Sequence, residues 1–174
     1  MSLKGKKIAI LVESDFEDEE LTSPLQAMKE AGADVTIVGD KSGAKYRGKR
    51  HRAEIVSDAA VDEVNPLDFD AVIVPGGYAP DKMRLHQPMI DLVKQAYENE
   101  RLIAAVCHGP QLLISADIVR GKRMTSWPSV AVDLKNAGAE WVDEGVVKDG
   151  NLITSRKPSD LPSFNKAVID FFGG

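Results

Sequence analysis

Short unbroken apolar runs alternate along this chain with longer stretches whose apolar residues recur every three or four positions. The run at residues 8–12 reads as a strand buried on both faces. Over residues 17–31, Leu21, Leu25 and Met28 fall on one side of a helix, and Gly32 supplies its C-terminal stop. Pro24 lies inside that pattern and predicts a kink or a late helix start. Residues 35–38 form the next strand, and residues 39–51, polar with three glycines, form a loop or hairpin. A third core strand at 71–74 runs into Pro75-Gly76-Gly77. Residues 88–100 read as a helix opened by Pro88, and residues 102–106 as a fourth core strand. A helix begins at 110–115, and a short amphipathic one at 130–137 ends at Gly138. Residues 146–153 hold two strands around Asp149-Gly150, and residues 161–172 close the chain as a helix.

Strands alternating with helices imply an α/β fold, a three-layer sandwich around a mostly parallel sheet. In such sheets, sites form beyond the carboxyl ends of the strands. Three informative segments fall at such ends: residues 13–17, Pro75-Gly76-Gly77, and Cys107-His108.

Composition narrows the function. A chain of 174 residues suits one domain spanning 1–174 with a substantial core. The net charge of -5 argues against non-specific nucleic-acid binding, so no nucleic-acid partner is expected. The basic stretch at 45–52 reads as a solvated loop or an exposed strand edge, with a polyanion contact as the minority alternative. The single cysteine excludes an internal disulfide, a C-x-x-C pair and a cysteine-rich zinc site. A free thiol fits a reducing cytoplasm. No apolar run is long enough to span a membrane, and no apolar signal region opens the chain. Residues 1–4 are expected to be disordered or a leader without fold information. No metal motif is present, and no cofactor is expected.

That lone cysteine carries the chemistry. Cys107 directly follows the strand at 102–106, Gly109 permits a sharp turn, and Pro110 suits the first position of a helix. This is a strand–nucleophile–helix arrangement, like a nucleophile elbow with Cys in place of Ser. The helix N-terminus favours thiolate over thiol. The alternative, a buried structural cysteine beside an incidental histidine, fits this turn less well. Gly76 and Gly77 present bare backbone N–H groups, and Gly77 with the amide of His108 can form an oxyanion hole. The acidic cluster Glu13, Asp15, Glu17, Asp18, Glu19 and Glu20 lies between the first strand and first helix. Most of it is solvated charge, and one carboxyl is expected to face the sulfur and move protons. Spacing leaves open which one. His51 and His86 are expected to face solvent.

With these residues in place, the sequence resembles the ThiJ/PfpI family, a branch of the flavodoxin-like, class I glutamine-amidotransferase-like fold. The resemblance rests on Asp15-Phe16-Glu17-Asp18, Phe69-Asp70-Ala71, Pro75-Gly76-Gly77 and Ala79-Pro80-Asp81. It continues through Ala105-Val106-Cys107-His108-Gly109-Pro110-Gln111, Asn136-Ala137-Gly138-Ala139 and Thr154-Ser155-Arg156. These strings run over nearly the whole chain and favour the PfpI-like branch. The resemblance implies Cys107 as nucleophile, Glu17 as the carboxylic acid that hydrogen-bonds the sulfur, and Gly77 with His108 as the oxyanion hole. It implies Asp81 at the position of an acid that a neighbouring subunit supplies to the histidine. Asp is one methylene shorter than the Glu of archaeal members, which weakens a triad. Trp127 falls where some relatives carry tyrosine and would give the pocket an apolar wall.

The implied activities are glyoxalase III-like or deglycase chemistry on 2-oxoaldehydes or their early protein or peptide adducts. Peptidase, redox-sensor and holdase functions are the alternatives. The resemblance also implies a homodimer or hexamer.

Overall fold

The computed structural model of the protein describes residues 2–173. Its first half runs β1 (Lys7–Leu11), α1 (Asp18–Glu30), β2 (Asp34–Gly39), β3 (Lys45–Arg47), β4 (Glu54–Val56), β5 (Ala59–Ala60), β6 (Ala71–Val74) and α2 (Ala79–Met83). Then follow α3 (Gln87–Glu98), β7 (Leu102–Val106), α4 (Pro110–Ser115), β8 (Arg123–Met124), α5 (Ala131–Asn136), β9 (Glu140–Trp141), β10 (Val146–Asp149), β11 (Leu152–Ser155) and α6 (Leu161–Gly173).

Seven strands form one sheet in the order β10-β11-β7-β6-β1-β2-β5. Every neighbouring pair is parallel except β10–β11, the antiparallel hairpin built on the Asp-Gly turn. β6 and β7 are buried along their whole length, and β1 from Ile8 onward, as expected of parallel strands covered on both faces. From β1 the chain first moves outward to β2 and β5, then returns to lay β6 against the other side of β1. Right-handed crossovers running in opposite directions put their helices on opposite faces. Thus α1, which packs on α6, covers one face, and α3, which packs on α4, covers the other. The result is the three-layer α/β architecture, with the reversal of strand order between β1 and β6.

The apolar runs at 71–74, 102–106 and 110–115 become elements with those bounds. α1 shows no late start, because burial of Leu21, Pro24 and Met28 holds the helix through its proline. The chain start is a correction. Leu3 is fully buried and its N–H donates to the Ala31 carbonyl at 2.7 Å, so it belongs to the core. Met1 lies outside the described residues. The polar segment at 39–51 opens the β3–β4 hairpin, whose turn reaches the site described next.

Candidate active site

The carboxyl ends of β1 and β6 are joined by backbone. Phe16 and Gly77 form an isolated antiparallel bridge. Glu17 N–H donates to Gly76 O at 3.1 Å, and Tyr78 N–H donates to Asp15 O at 2.8 Å. Gly77 has φ +81°, and a Cβ there would lie 2.6 Å from Asp15 O and 2.7 Å from Phe16 C. Only glycine combines that conformation with so close a chain crossing.

Cys107 follows at the end of β7 with φ +62°, a left-handed conformation unusual for a residue with a Cβ. That costs on the order of 1–2 kcal/mol, and the surroundings hold it. Its N–H donates to Ser155 O at 3.0 Å, and its carbonyl accepts from Trp127 N–H at 2.9 Å. The Gly109 N–H closes the turn on Val106 O at 2.8 Å. The sulfur is nearly covered, with the residue 8% exposed, and the backbone N–H of His108 points at it. This is the geometry of a nucleophile elbow.

The carboxyl that meets the sulfur is Glu20, which corrects the sequence expectation of Glu17. Glu20 is fully buried, and its Oε1 accepts from Gly76 N–H at 2.9 Å. Oε2 is buried without a hydrogen-bond partner, and the carboxyl's charge acts on the neighbouring Cys107 thiol. A Cβ at Gly76 would collide with Glu20 Oε1 and stand 3.0 Å from Cys107 Cβ, so glycine there lets the two side chains approach each other. Burial, reinforced by the charge of Glu17, pushes the Glu20 carboxyl up to about 8. It therefore holds a proton near neutral pH. Burial also raises the Cys107 thiol, and a charged Glu20 raises it further, while the His108 N–H and Lys49 oppose this. A protonated Glu20 removes the charge opposing the thiolate and offers it a donor.

Glu17 is engaged elsewhere. Its carboxylate binds Lys49 Nζ at 2.8 Å and Arg50 Nε at 2.5 Å. Burial alone would raise this carboxyl, but the two cations outweigh burial and hold it below the usual range. A carboxylate committed to two cations is a poor proton donor to sulfur. The phase of α1 held the clue: Glu20, Pro24 and Met28 stand at intervals of four on its inward stripe.

Lys49 is a site residue that the pattern missed, and it corrects the reading of 45–52 as wholly solvated. Lys45 and Arg47 are exposed beside Glu54, as expected. The turn beyond them is clamped by buried Asp18. Its oxygens accept from Arg50 N–H at 2.9 Å, Arg52 N–H at 3.0 Å and Ala53 N–H at 2.8 Å. A Cβ on Gly48 would lie 2.5 Å from Asp18 Oδ1, so the turn needs glycine to seat there. Lys49 N–H adds a bond to Phe16 O at 2.8 Å. Its ammonium stands 5.1 Å from the centre of the Tyr78 ring. A buried anion in contact with a distant turn leaves little local sequence signature.

His108 Nδ1 lies 3.4 Å from the Cys107 sulfur, so neighbours in sequence are also neighbours in space here. Burial, then the charge of Lys49, lowers the imidazole below its ordinary value. Trp127 stacks beside it, with ring centres 6.4 Å apart. Asp81 sits on α2 with its side chain exposed, and no hydrogen bond joins it to His108 within the chain. The structure thus gathers Cys107, His108, Gly76, Gly77 and Trp127, and leaves Asp81 outside. Arg156 is bound to Asp160 and Asp143 and braces the segment behind Ser155. His51 is exposed on the hairpin turn. Among the described residues, no group of three or more His, Cys, Asp or Glu side chains is arranged to hold a metal ion.

Comparison with known proteins follows the same lines. "Protein/nucleic acid deglycase 2" of Escherichia coli is 41% identical over 170 residues, covering 97% of this chain and 99% of that one. "General stress protein 18" of Bacillus subtilis is 44% identical over 166 residues, covering 95% and 96%. Among solved structures, a two-domain protein of Anabaena variabilis with DJ-1/ThiJ/PfpI-like and ferritin-like domains superposes with a TM-score of 0.95 at 46% identity. The match covers 97% of this chain and 48% of that protein, about half its length. The sequence profile described as the DJ-1/PfpI family matches residues 6–170, and with relatives this similar along their whole length, the chain belongs to that family.

Proposed function

We propose that this protein is a cysteine-dependent enzyme that acts on 2-oxoaldehydes or their early adducts, with Cys107 as nucleophile and Glu20 as the proton carrier. The carrying observation is the fully buried Glu20 carboxyl set against the thiol, with its proton retained up to about pH 8. The Cys107 thiol passes its proton to His108 Nδ1, 3.4 Å away, the thiolate adds to the aldehyde carbon, forming a C–S bond, and the carbonyl electron pair moves onto oxygen. The N–H groups of Gly77 and His108 face that oxyanion, and Glu20 gives it a proton to complete a hemithioacetal. Glu20, now a carboxylate, takes the proton from the same carbon, and an enediol forms. Return of a proton to the adjacent carbon leaves a thioester, so one carbon is oxidised and its neighbour reduced. Water then releases a 2-hydroxy acid and the free thiol. For an adduct on an amine, the same proton carrier serves departure of the amine. The E. coli relative's deglycase name supports this reading.

A second reading, peptidase, is favoured by the 3.4 Å contact between His108 Nδ1 and the sulfur. It asks His108 to protonate a departing amine. Burial lowers this imidazole below its ordinary value, which disfavours the charged form that would donate, and its acid partner would be Asp81 of a neighbouring subunit in a homodimer or hexamer. Aldehyde chemistry needs neither condition. No helix among the described residues is long and apolar enough to cross a membrane. A cytoplasmic setting, which keeps the lone thiol reduced, suits the proposed chemistry.

The test is lactate formation from methylglyoxal without glutathione, by wild type, Cys107→Ala, Glu20→Gln and Glu17→Gln. Turnover lost in the first two variants and retained in Glu17→Gln supports the assignment. Turnover that survives Glu20→Gln and vanishes in Glu17→Gln refutes the proton carrier named here.

A further inference from the structure

The charge group at the mouth of the site is unequal. One buried carboxylate, Glu17, takes two cations, Lys49 at 2.8 Å and Arg50 at 2.5 Å. Arg50 holds Oε1 and Lys49 holds Oε2, yet by charge one permanent guanidinium already balances Glu17. Lys49 is then a surplus cation, and among the described residues Glu17 is its sole ion-pair partner. The fold nevertheless fixes it firmly. Asp18 is buried to bind the turn, Gly48 makes room for Asp18, and Lys49 N–H is tied to Phe16 O. The side chain is about three-quarters covered, at 26% exposed, beside the Tyr78 ring.

The other charged groups here leave Lys49 without competition. Glu20 holds its proton, His108 is kept neutral, and Asp15 is paired with Lys82 at 2.5 Å. The N–H bond of Lys49 to Phe16, which bridges to Gly77, and its ammonium 5.1 Å from the Tyr78 ring centre place Lys49 beside the glycine turn next to Cys107. Addition to a neutral aldehyde, as derived above, makes no use of it.

We propose that Lys49 receives an anionic group of the substrate: the carbonyl compound that Cys107 attacks carries a carboxylate, which binds the Lys49 ammonium while Arg50 keeps Glu17 paired. No covalent bond changes in this step. The Lys49–Glu17 pair opens and a Lys49–carboxylate pair forms, while Glu17 keeps Arg50 on its other oxygen. Among the carbonyl compounds and adducts open to Cys107, those bearing a carboxylate, or formed next to one, are favoured over neutral ones such as methylglyoxal. This rests on Cys107 as nucleophile, though on no particular turnover reaction.

Two alkylating probes separate charge from reactivity. Iodoacetate and iodoacetamide both convert a thiolate to a thioether with loss of iodide, and they differ by one negative charge. Cys107 is the sole thiol, so mass spectrometry of the reduced full chain reads its rate directly. The ratio of iodoacetate to iodoacetamide rate constants cancels any change in thiolate fraction. It is expected to fall about three- to tenfold in Lys49→Met, to persist in Lys49→Arg and to shrink in high salt. Glu17→Gln, which frees Lys49, is expected to raise it. A ratio equal to wild type in Lys49→Met, with both reagents still reactive, overturns the anion site alone. A Cys107 inert to both reagents overturns the nucleophile reading and this proposal with it.

Discussion

Replacing Glu20 with Gln gives the sharpest test of the buried acid, because it makes stability depend on pH in a calculable way. The native carboxyl titrates at about 8, against 4.5 for an ordinary Glu. The folded protein therefore holds a proton that the unfolded chain releases across this interval. A raised native value means that the group's contribution is complete below pH 4.5 and is lost as pH rises through 8. At about 1.4 kcal/mol per unit, the ceiling over the whole interval is about 5 kcal/mol, of which about 2–3 kcal/mol is expected between pH 5.5 and 8.5. That is a large share of the stability of an ordinary domain, about 5–15 kcal/mol. Gln keeps an oxygen for the Gly76 N–H and never ionises. Denaturant titrations of reduced wild type and Glu20→Gln, from pH 5.5 to 8.5, measure the effect. Wild type should lose stability relative to the variant across this window, and the two should converge toward pH 5.5. His108 pulls the other way below its ordinary value of 6.5, but it is present in both proteins. Parallel curves would show that Glu20 is already charged when folded, and the proton-carrier argument would fail.

The other tests probe how the site is held. Gly48→Ala places a Cβ 2.5 Å from Asp18 Oδ1, so a destabilisation of about 1–3 kcal/mol is expected by denaturant titration, with faster proteolysis in the β3–β4 hairpin. Asp18→Asn should weaken the acid limb of stability. Burial is outweighed by three backbone donors that hold this carboxyl below 3.8, so its contribution is present above 3.8 and lost as pH falls. A variant with an unchanged acid midpoint would contradict the clamp. Trp127→Ala uncovers His108, whose imidazole is lowered first by burial, so NMR titration should move it up toward 6.5. No movement would mean that Trp127 does not shield it.

What the sequence determined by itself was whatever local physics writes into short windows. Apolar runs bounded by turn residues located β6 and β7, and the Cys-x-Gly-Pro string marked the sharp turn at Cys107. Alternation of strand and helix determined the layer architecture, since each amphipathic element can bury its face only against the sheet. Two-residue strands such as β5, β8 and β9, and the five-residue α2, were invisible because so few residues carry no measurable period. The tertiary structure decided which acid serves the sulfur. Six carboxylates in eight residues look alike in sequence, yet α1 turns Glu20 inward while Lys49 and Arg50, some thirty residues later, draw Glu17 aside. A pKa is set by what surrounds a group in space, so contacts between residues far apart in the chain assigned the chemistry that spacing left open.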